Sequence, residues 1–141
     1  MTDLDELYQQ IILDHARRPR HKRPLSEEES QATADNPTCG DEIRLRTRWS
    51  DGRVAAVEFD GHGCAISQAS ASLMTDLLPG KTPDEARELA DRLISVLRGE
   101  NTPTDPDEFG EAAALLGVRA FPLRIKCATL AWHAFKKTLP A

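Results

Sequence analysis

Cysteine is scarce in this chain. Three occur in 141 residues, at positions 39, 64 and 127, and no two form a Cys-x-x-Cys pair. An odd number of widely spaced cysteines does not make a closed disulfide framework, and the acidic, amphipathic N-terminus lacks the pattern of a secretory signal. The three therefore read as thiols or metal ligands of a cytoplasmic protein. Long apolar runs are also missing. None approaches the roughly 20 residues that a membrane-spanning helix needs. Positive charge is in deficit as well: the formal net charge of −5 argues against a general nucleic-acid binder. There is no internal repeat, no low-complexity tract and no sign of a second domain. What remains is one domain, 1–141, long enough to bury a real core.

The pattern along the chain gives an α+β order. Residues 3–17 predict an amphipathic helix with Leu4, Leu7 and Ile11 on its apolar face, Tyr8 and Ile12 beside them, and Pro19 stopping it. A basic run, Arg17 to Arg23, follows; it reads either as a docking patch or as a solvated loop. Residues 25–36 are polar and read as irregular. Residues 42–49 alternate strictly, with Ile43, Leu45, Thr47 and Trp49 on one face and Arg44, Arg46 and Arg48 on the other, the mark of a half-buried strand. Asp51-Gly52 is a hairpin turn, and 54–60 is the partner strand. A helix from Cys64 to about Leu78 is expected to bury Ile66, Ala69, Leu73, Met74 and Leu77. Thr82-Pro83-Asp84-Glu85 is a capping box opening the next helix. A short helix begins near Asp105 and ends at Gly117. The last starts near Pro122 and places Leu123, Cys127, Leu130 and Ala134 on one stripe.

The chemistry concentrates at Asn36-Pro37-Thr38-Cys39-Gly40-Asp41, where a thiol and a carboxylate stand two residues apart in a tight turn. Cys64 follows the break Gly61-His62-Gly63 and opens a helix, where the dipole favours thiolate. Cys127 lies near the first turns of the last helix, where a buried hydrophobic cysteine is an equal reading. Three thiols and one carboxylate make four ligands, the number that tetrahedral Zn²⁺ takes; thiolates equally suit an iron–sulfur cluster. His62 ranks below Asp41 as a ligand because it lies among glycines in an exposed turn. His15, His21 and His133 read as surface residues. Four anionic ligands around a dication sum to a formal charge of about −2, which calls for nearby cations. Arg124 is placed to support the site or an incoming anionic sulfur, against the alternative of a solvated side chain. Lys126 stays open.

Together these residues resemble the SufU-type sulfur acceptors of the wider NifU/IscU scaffold superfamily. The resemblance covers nearly the whole chain: Leu7-Tyr8, Ile12-Leu13-Asp14-His15, Pro19-Arg20, the Asn36–Asp41 and Gly61–Ser67 stretches, and Phe121-Pro122 through Arg124-Ile125-Lys126-Cys127 to Trp132. It implies a SufE/NifU-like α+β fold with an N-terminal helix, a small antiparallel sheet of about three strands and C-terminal helices. It implies Zn²⁺ on Cys39, Asp41, Cys64 and Cys127, and a SufS-type, PLP-carrying cysteine desulfurase as partner, with downstream iron–sulfur assembly machinery. Cys39, in a turn free to shift without unpacking a core, is the expected persulfide acceptor. The resemblance further implies that a partner histidine replaces it on the metal. Cluster scaffolds of the IscU type carry His immediately before the last cysteine. Here that residue is Lys126, protonated at neutral pH and a poor ligand. The stretch 98–120 resembles an insertion of the SufU branch. Both favour a zinc-dependent sulfurtransferase; the alternative is an iron–sulfur cluster scaffold, and the blandest reading is a structural zinc domain.

Overall fold

The computed structural model describes residues 3–37, 40–103 and 107–140. Helix α1 (Asp3–Arg17) precedes strands β1 (Ala32–Asn36), β2 (Asp41–Ser50) and β3 (Arg53–His62). Helices α2 (Ala65–Leu77) and α3 (Pro83–Leu97), a 3₁₀ helix (Gly110–Ala120) and α4 (Pro122–Lys136) complete the chain. The strands form one antiparallel sheet in the order β1-β2-β3. Helices α2 and α4 pack on one face, and α1, α3 and the 3₁₀ helix close around them. This is the α+β architecture expected from the sequence.

The alternation of β2 sets the sheet's two faces. Asp41, Ile43, Leu45 and Thr47 point into the core, and Arg44, Arg46 and Arg48 point away. Asp51 and Gly52 both take positive φ (52° and 74°), the turn geometry whose twist matches a two-residue hairpin. Residues 32–36, read as irregular, are instead strand β1. Their polar side chains hid a short strand that is recruited by backbone pairing with 41–45 rather than by its own apolar pattern.

The basic run is a largely exposed loop, as one of its two readings had it, tied to the sheet at its second half. His21 to Arg23 covers the open edge of β3, with the Arg23 amide donating to Phe59 O (3.0 Å) and the Phe59 amide to His21 O (3.1 Å). A pairing strand is blocked at this point of the edge. Its charges join a lattice on the outer face. Glu58 accepts from Arg23 Nε (2.5 Å) and Arg48 Nε (2.7 Å), while Glu29 accepts from Arg23 (2.9 Å) and Arg46 (3.0 Å). Arg44 pairs with Asp60 (3.2 Å), and Arg18 and Arg20 share Asp14.

Three burial expectations are corrected. Leu4 and Leu7 are 53% and 51% exposed; α1 instead turns Ile12 and His15 inward. His15 is no surface residue. Its Nδ1 lies 2.7 Å from Ser72 Oγ and its Nε2 3.4 Å from Glu111, partners that make burial of the ring affordable. Leu123, assigned to the buried stripe of α4, is 72% exposed, because the stripe begins only where α4 reaches α2 at Cys127. The short helix predicted before Gly117 is a 3₁₀ helix that runs through Gly117 to Ala120, and its expected start at Asp105 lies outside the described residues. The capping box is present as expected, with Thr82 and Glu85 satisfying each other's amides at 3.2 and 2.9 Å.

The outer-face lattice makes acid stability testable. The Arg23 guanidinium, with the Ser26 amide, holds the Glu29 carboxyl down from its usual 4.5 to about 2, and Arg23 and Arg48 lower Glu58 against a partial desolvation that raises it. Folded pKa values below the unfolded ones mean stability that is present above about pH 4.5 and lost as pH falls towards 2. Thermal melts of the metal-free protein between pH 6 and 2.5 are expected to show this loss, and Glu58→Gln is expected to melt lower at pH 6 with a flatter acid limb.

Candidate metal centre

The centre is built where three elements end or begin. β2 opens with Asp41, β3 closes at His62, and Cys64 precedes α2 in an extended conformation (φ −69°, ψ 165°). Two glycines allow the approach. Gly61 and Gly63 have φ of 128° and 153°, and a Cβ on either has no room: it would meet Glu42 O at 2.0 Å or Asp41 Oδ1 at 2.2 Å. Both positions therefore require the residue without a side chain.

Asp41 is 1% exposed, and its two oxygens have different tasks. Oδ1 accepts the backbone N–H of Cys64 at 2.7 Å, which fixes the carboxylate and satisfies an amide at the start of α2. Oδ2 faces the Cys64 thiol, 3.8 Å from Sγ. Cys127 comes from the second turn of α4, buried at 3% exposure. One ligand atom each from Asp41, Cys64 and Cys127 lies within 4.8 Å of the others. With Zn–S near 2.3 Å and Zn–O of about 2.0 to 2.2 Å, a tetrahedral ion separates sulfur from oxygen by about 3.5 to 3.7 Å and two sulfurs by about 3.8 Å. The donor set and its spacing fit a thiolate-binding metal with one carboxylate ligand.

The two thiols are brought together by close packing of α2 on α4. Ser70 of α2 meets Ala128 and Trp132 of α4 among small residues buried on both helices, Ala69 and Ala71 on one and Ala128, Ala131 and Ala134 on the other. Ser70 clasps the helices: its hydroxyl donates to Ala128 O (2.5 Å) and accepts from Trp132 Nε1 (2.9 Å). Ser67 Oγ donates to Cys64 O (3.1 Å), holding the first turn. None of Ser67, Ser70 or Trp132 stood out in the sequence as a site residue, although the alternating Ala and Ser of 69–72 signal a close helix contact.

Of the expected ligands, Asp41, Cys64 and Cys127 converge. Cys39 lies outside the described residues; its flanks Asn36 and Asp41 pair across β1 and β2 beside the cluster, and Gly40 N–H closes onto Asn36 O at 2.9 Å. His62 does not join the group. It is largely exposed at the end of β3, 3.5 Å from Glu42. Arg124 is exposed in the first turn of α4 and makes no side-chain hydrogen bond or ion pair among the described residues, so it stands at the rim rather than inside. Lys126 is exposed too and lines a separate cleft with Asp35, Asn36, Thr129 and His133. Partial burial and the neighbouring Lys136, Arg98 and Lys137 push the His133 imidazole below its ordinary value, so it is neutral at pH 7.

Residues 7–128 match the model of the NifU-like N-terminal domain, and the chain belongs to that family. It is 42% identical over 139 residues to the iron–sulfur cluster assembly scaffold protein IscU of Streptococcus pyogenes serotype M1, covering 99% of this chain and 86% of the relative. It is also 42% identical over 136 residues to the zinc-dependent sulfurtransferase SufU of Bacillus subtilis strain 168, covering 96% and 91%. A crystal structure of a putative scaffold protein for the SUF system of Fervidobacterium islandicum superposes with a TM-score of 0.79 at 28% identity, covering 93% and 95%. The protein is therefore an iron–sulfur cluster assembly protein of the IscU/SufU family.

Gly63→Ala tests the close approach. Its methyl is expected to displace the Asp41 carboxylate and lower zinc affinity by at least about tenfold in a chelator competition, the scale seen when a ligand's support is lost. Gly117→Ala, which meets nothing within 4 Å and needs no left-handed backbone, is the control and leaves affinity unchanged. Asp41→Asn, able to keep the Cys64 amide contact, is expected to melt higher than Asp41→Ala in the metal-free protein.

Proposed function

We propose that this protein is a zinc-dependent sulfurtransferase that accepts persulfide sulfur from a SufS-type cysteine desulfurase for iron–sulfur cluster assembly. The observation that carries the reading is the donor set: one carboxylate and two thiols converge, while the residue before Cys127 is a lysine turned to another cleft. A histidine there would add a neutral ligand of the kind expected in cluster scaffolds; an ammonium adds none. The 42% identity to a protein named zinc-dependent sulfurtransferase supports the same conclusion.

In this reading Cys39, Asp41, Cys64 and Cys127 hold Zn²⁺, which when bound keeps the cysteines deprotonated at neutral pH. Cys39 is the acceptor. Its thiolate attacks the terminal sulfur of the desulfurase persulfide, a new sulfur–sulfur bond forms, the donor's sulfur–sulfur bond breaks, and the donor cysteine leaves as thiolate. Asp41 holds Cys64 in place through its amide, so the buried thiols stay fixed while the acceptor reacts. Arg124, at the rim, stabilises the anionic persulfide once the donor protein has left. The desulfurase supplies the PLP chemistry.

The second reading, a scaffold on which clusters are assembled, is favoured by the equal identity to a protein named IscU scaffold. Two measurements separate them. Protein purified without chelators is expected to be colourless, with one zinc per chain, and to accelerate cysteine-dependent turnover of the desulfurase. Brown protein with visible absorbance and no acceleration would establish the scaffold instead. After reaction, mass spectrometry is expected to map one added sulfur to Cys39; its appearance on Cys64 or Cys127 alone would overturn that assignment.

A further inference from the structure

A groove of about 570 Å³ runs beside the metal centre, between α1, the first turn of α2 and the junction of the 3₁₀ helix with α4. Its walls are apolar: Tyr8, Ile12 and Leu13 on one side, Ile66 below, and Val118 and Phe121 opposite. Leu13 and Phe121 remain 45% and 56% exposed, two of five large hydrophobic residues left in solvent among the described residues. Such residues gathered in one concave site mark an interaction surface rather than scattered exposure. The lining also carries one acidic and one basic side chain, Asp5 and Arg124. Arg124 has no anionic partner among the described residues, unlike the arginines of the sheet face, each of which has one.

We propose that this groove docks the sulfur-donating protein through an apolar side chain flanked by a carboxylate that pairs with Arg124. The inference rests on the sulfurtransferase reading above and names the surface that reading needs. Position selects this occupant. Ala65, which lines the groove, directly follows Cys64, and Arg124 is one turn before Cys127, so anything seated there touches the rim of the metal centre. A donor anchored in the groove brings its reactive sulfur to that rim, whereas a second copy of this chain would cover the approach. The charge balance selects the chemistry: a wholly apolar insert would leave the guanidinium unpaired at the edge of a desolvated contact, which a carboxylate relieves.

The test measures desulfurase turnover against the concentration of this protein, and in parallel its direct binding to immobilised desulfurase. Leu13→Asp and Phe121→Asp, both at exposed positions, are expected to raise the KM for the acceptor at least about tenfold, with kcat at saturation within about twofold and zinc content and melting temperature unchanged. Leu4→Asp, on the other flank of α1, is the control and is expected to leave KM as in the wild type. An unchanged KM in both groove variants, or an equal rise with Leu4→Asp, would overturn the docking surface while leaving the sulfurtransferase reading intact. Wild-type binding that is lost in Leu13→Asp, without any acceleration of turnover, would keep the docking surface and sink the sulfurtransferase reading. Sedimentation showing a wild-type dimer that Leu13→Asp and Phe121→Asp dissociate would assign the groove to a second copy and overturn the proposal.

Discussion

The arrangement depends on one buried carboxylate. Asp41 is almost wholly removed from solvent, where an ionised group is costly unless it is paired. One oxygen takes the Cys64 amide, and the other faces the thiols. The same side chain thus closes the start of β2 onto the start of α2 and offers a ligand atom to the space between them. The constraint reaches further than the contact itself. Gly61 and Gly63 lack side chains because the carboxylate and its strand occupy the volume a Cβ needs. The strand must therefore end here, and α2 must begin with Cys64.

A second constraint fixes the other thiol. Cys127 reaches the group only because α2 and α4 approach closely along a seam of alanines and serines, locked by Ser70 between Ala128 O and Trp132 Nε1. Larger residues in this seam would separate the helix axes by ångströms, and a metal site tolerates only about 0.2 Å in its ligand distances. The packing of the core and the geometry of the site are one problem here. The outer face follows a different logic: Arg23, Arg46 and Arg48 are tied to Glu29 and Glu58 at partly exposed positions, where pairs are individually weak but form a network that also pins the loop covering β3.

Much of this was legible in the residues. Strict alternation in 42–49, the Asp51-Gly52 turn and the Thr82 capping box each carry a local physical rule, and each element formed as read. Asp41 and Cys64 stood out because a carboxylate and a thiol in glycine-rich breaks have little use in packing, whereas Cys127, on an apolar helix stripe, read equally well as a buried hydrophobe. What was not legible depended on partners distant in the chain. His15 looked like a surface residue because nothing local announces Ser72, 57 residues away, as its hydrogen-bond partner. Strand β1 was invisible because backbone pairing, not side-chain pattern, makes it. Leu4 and Leu7 have the spacing of a buried face, yet α1 settles with Ile12 and His15 inward because the tertiary contact outweighs the local pattern.

The two relatives of equal identity carry different names, a scaffold and a sulfurtransferase, and the two roles make different demands on one metal site. A scaffold must give up its metal site to a growing cluster, so it gains from ligands beyond those that hold a single ion. A sulfur acceptor gains from a closed site in which one thiol can leave while the rest stay put. The described ligands suit the second demand: Asp41 is tied through its own hydrogen bond, Cys64 is held by the start of α2, and Cys127 is buried within α4. Lys126 lines a separate cleft and adds no ligand, and Arg124 leaves a positive charge at the rim. Cations placed around such a centre, rather than within it, stabilise an arriving anionic sulfur while leaving the metal's coordination unchanged. In the sulfurtransferase reading proposed above, the residue before Cys127 matters for what it withholds: a lysine there offers no neutral nitrogen to a metal or a cluster.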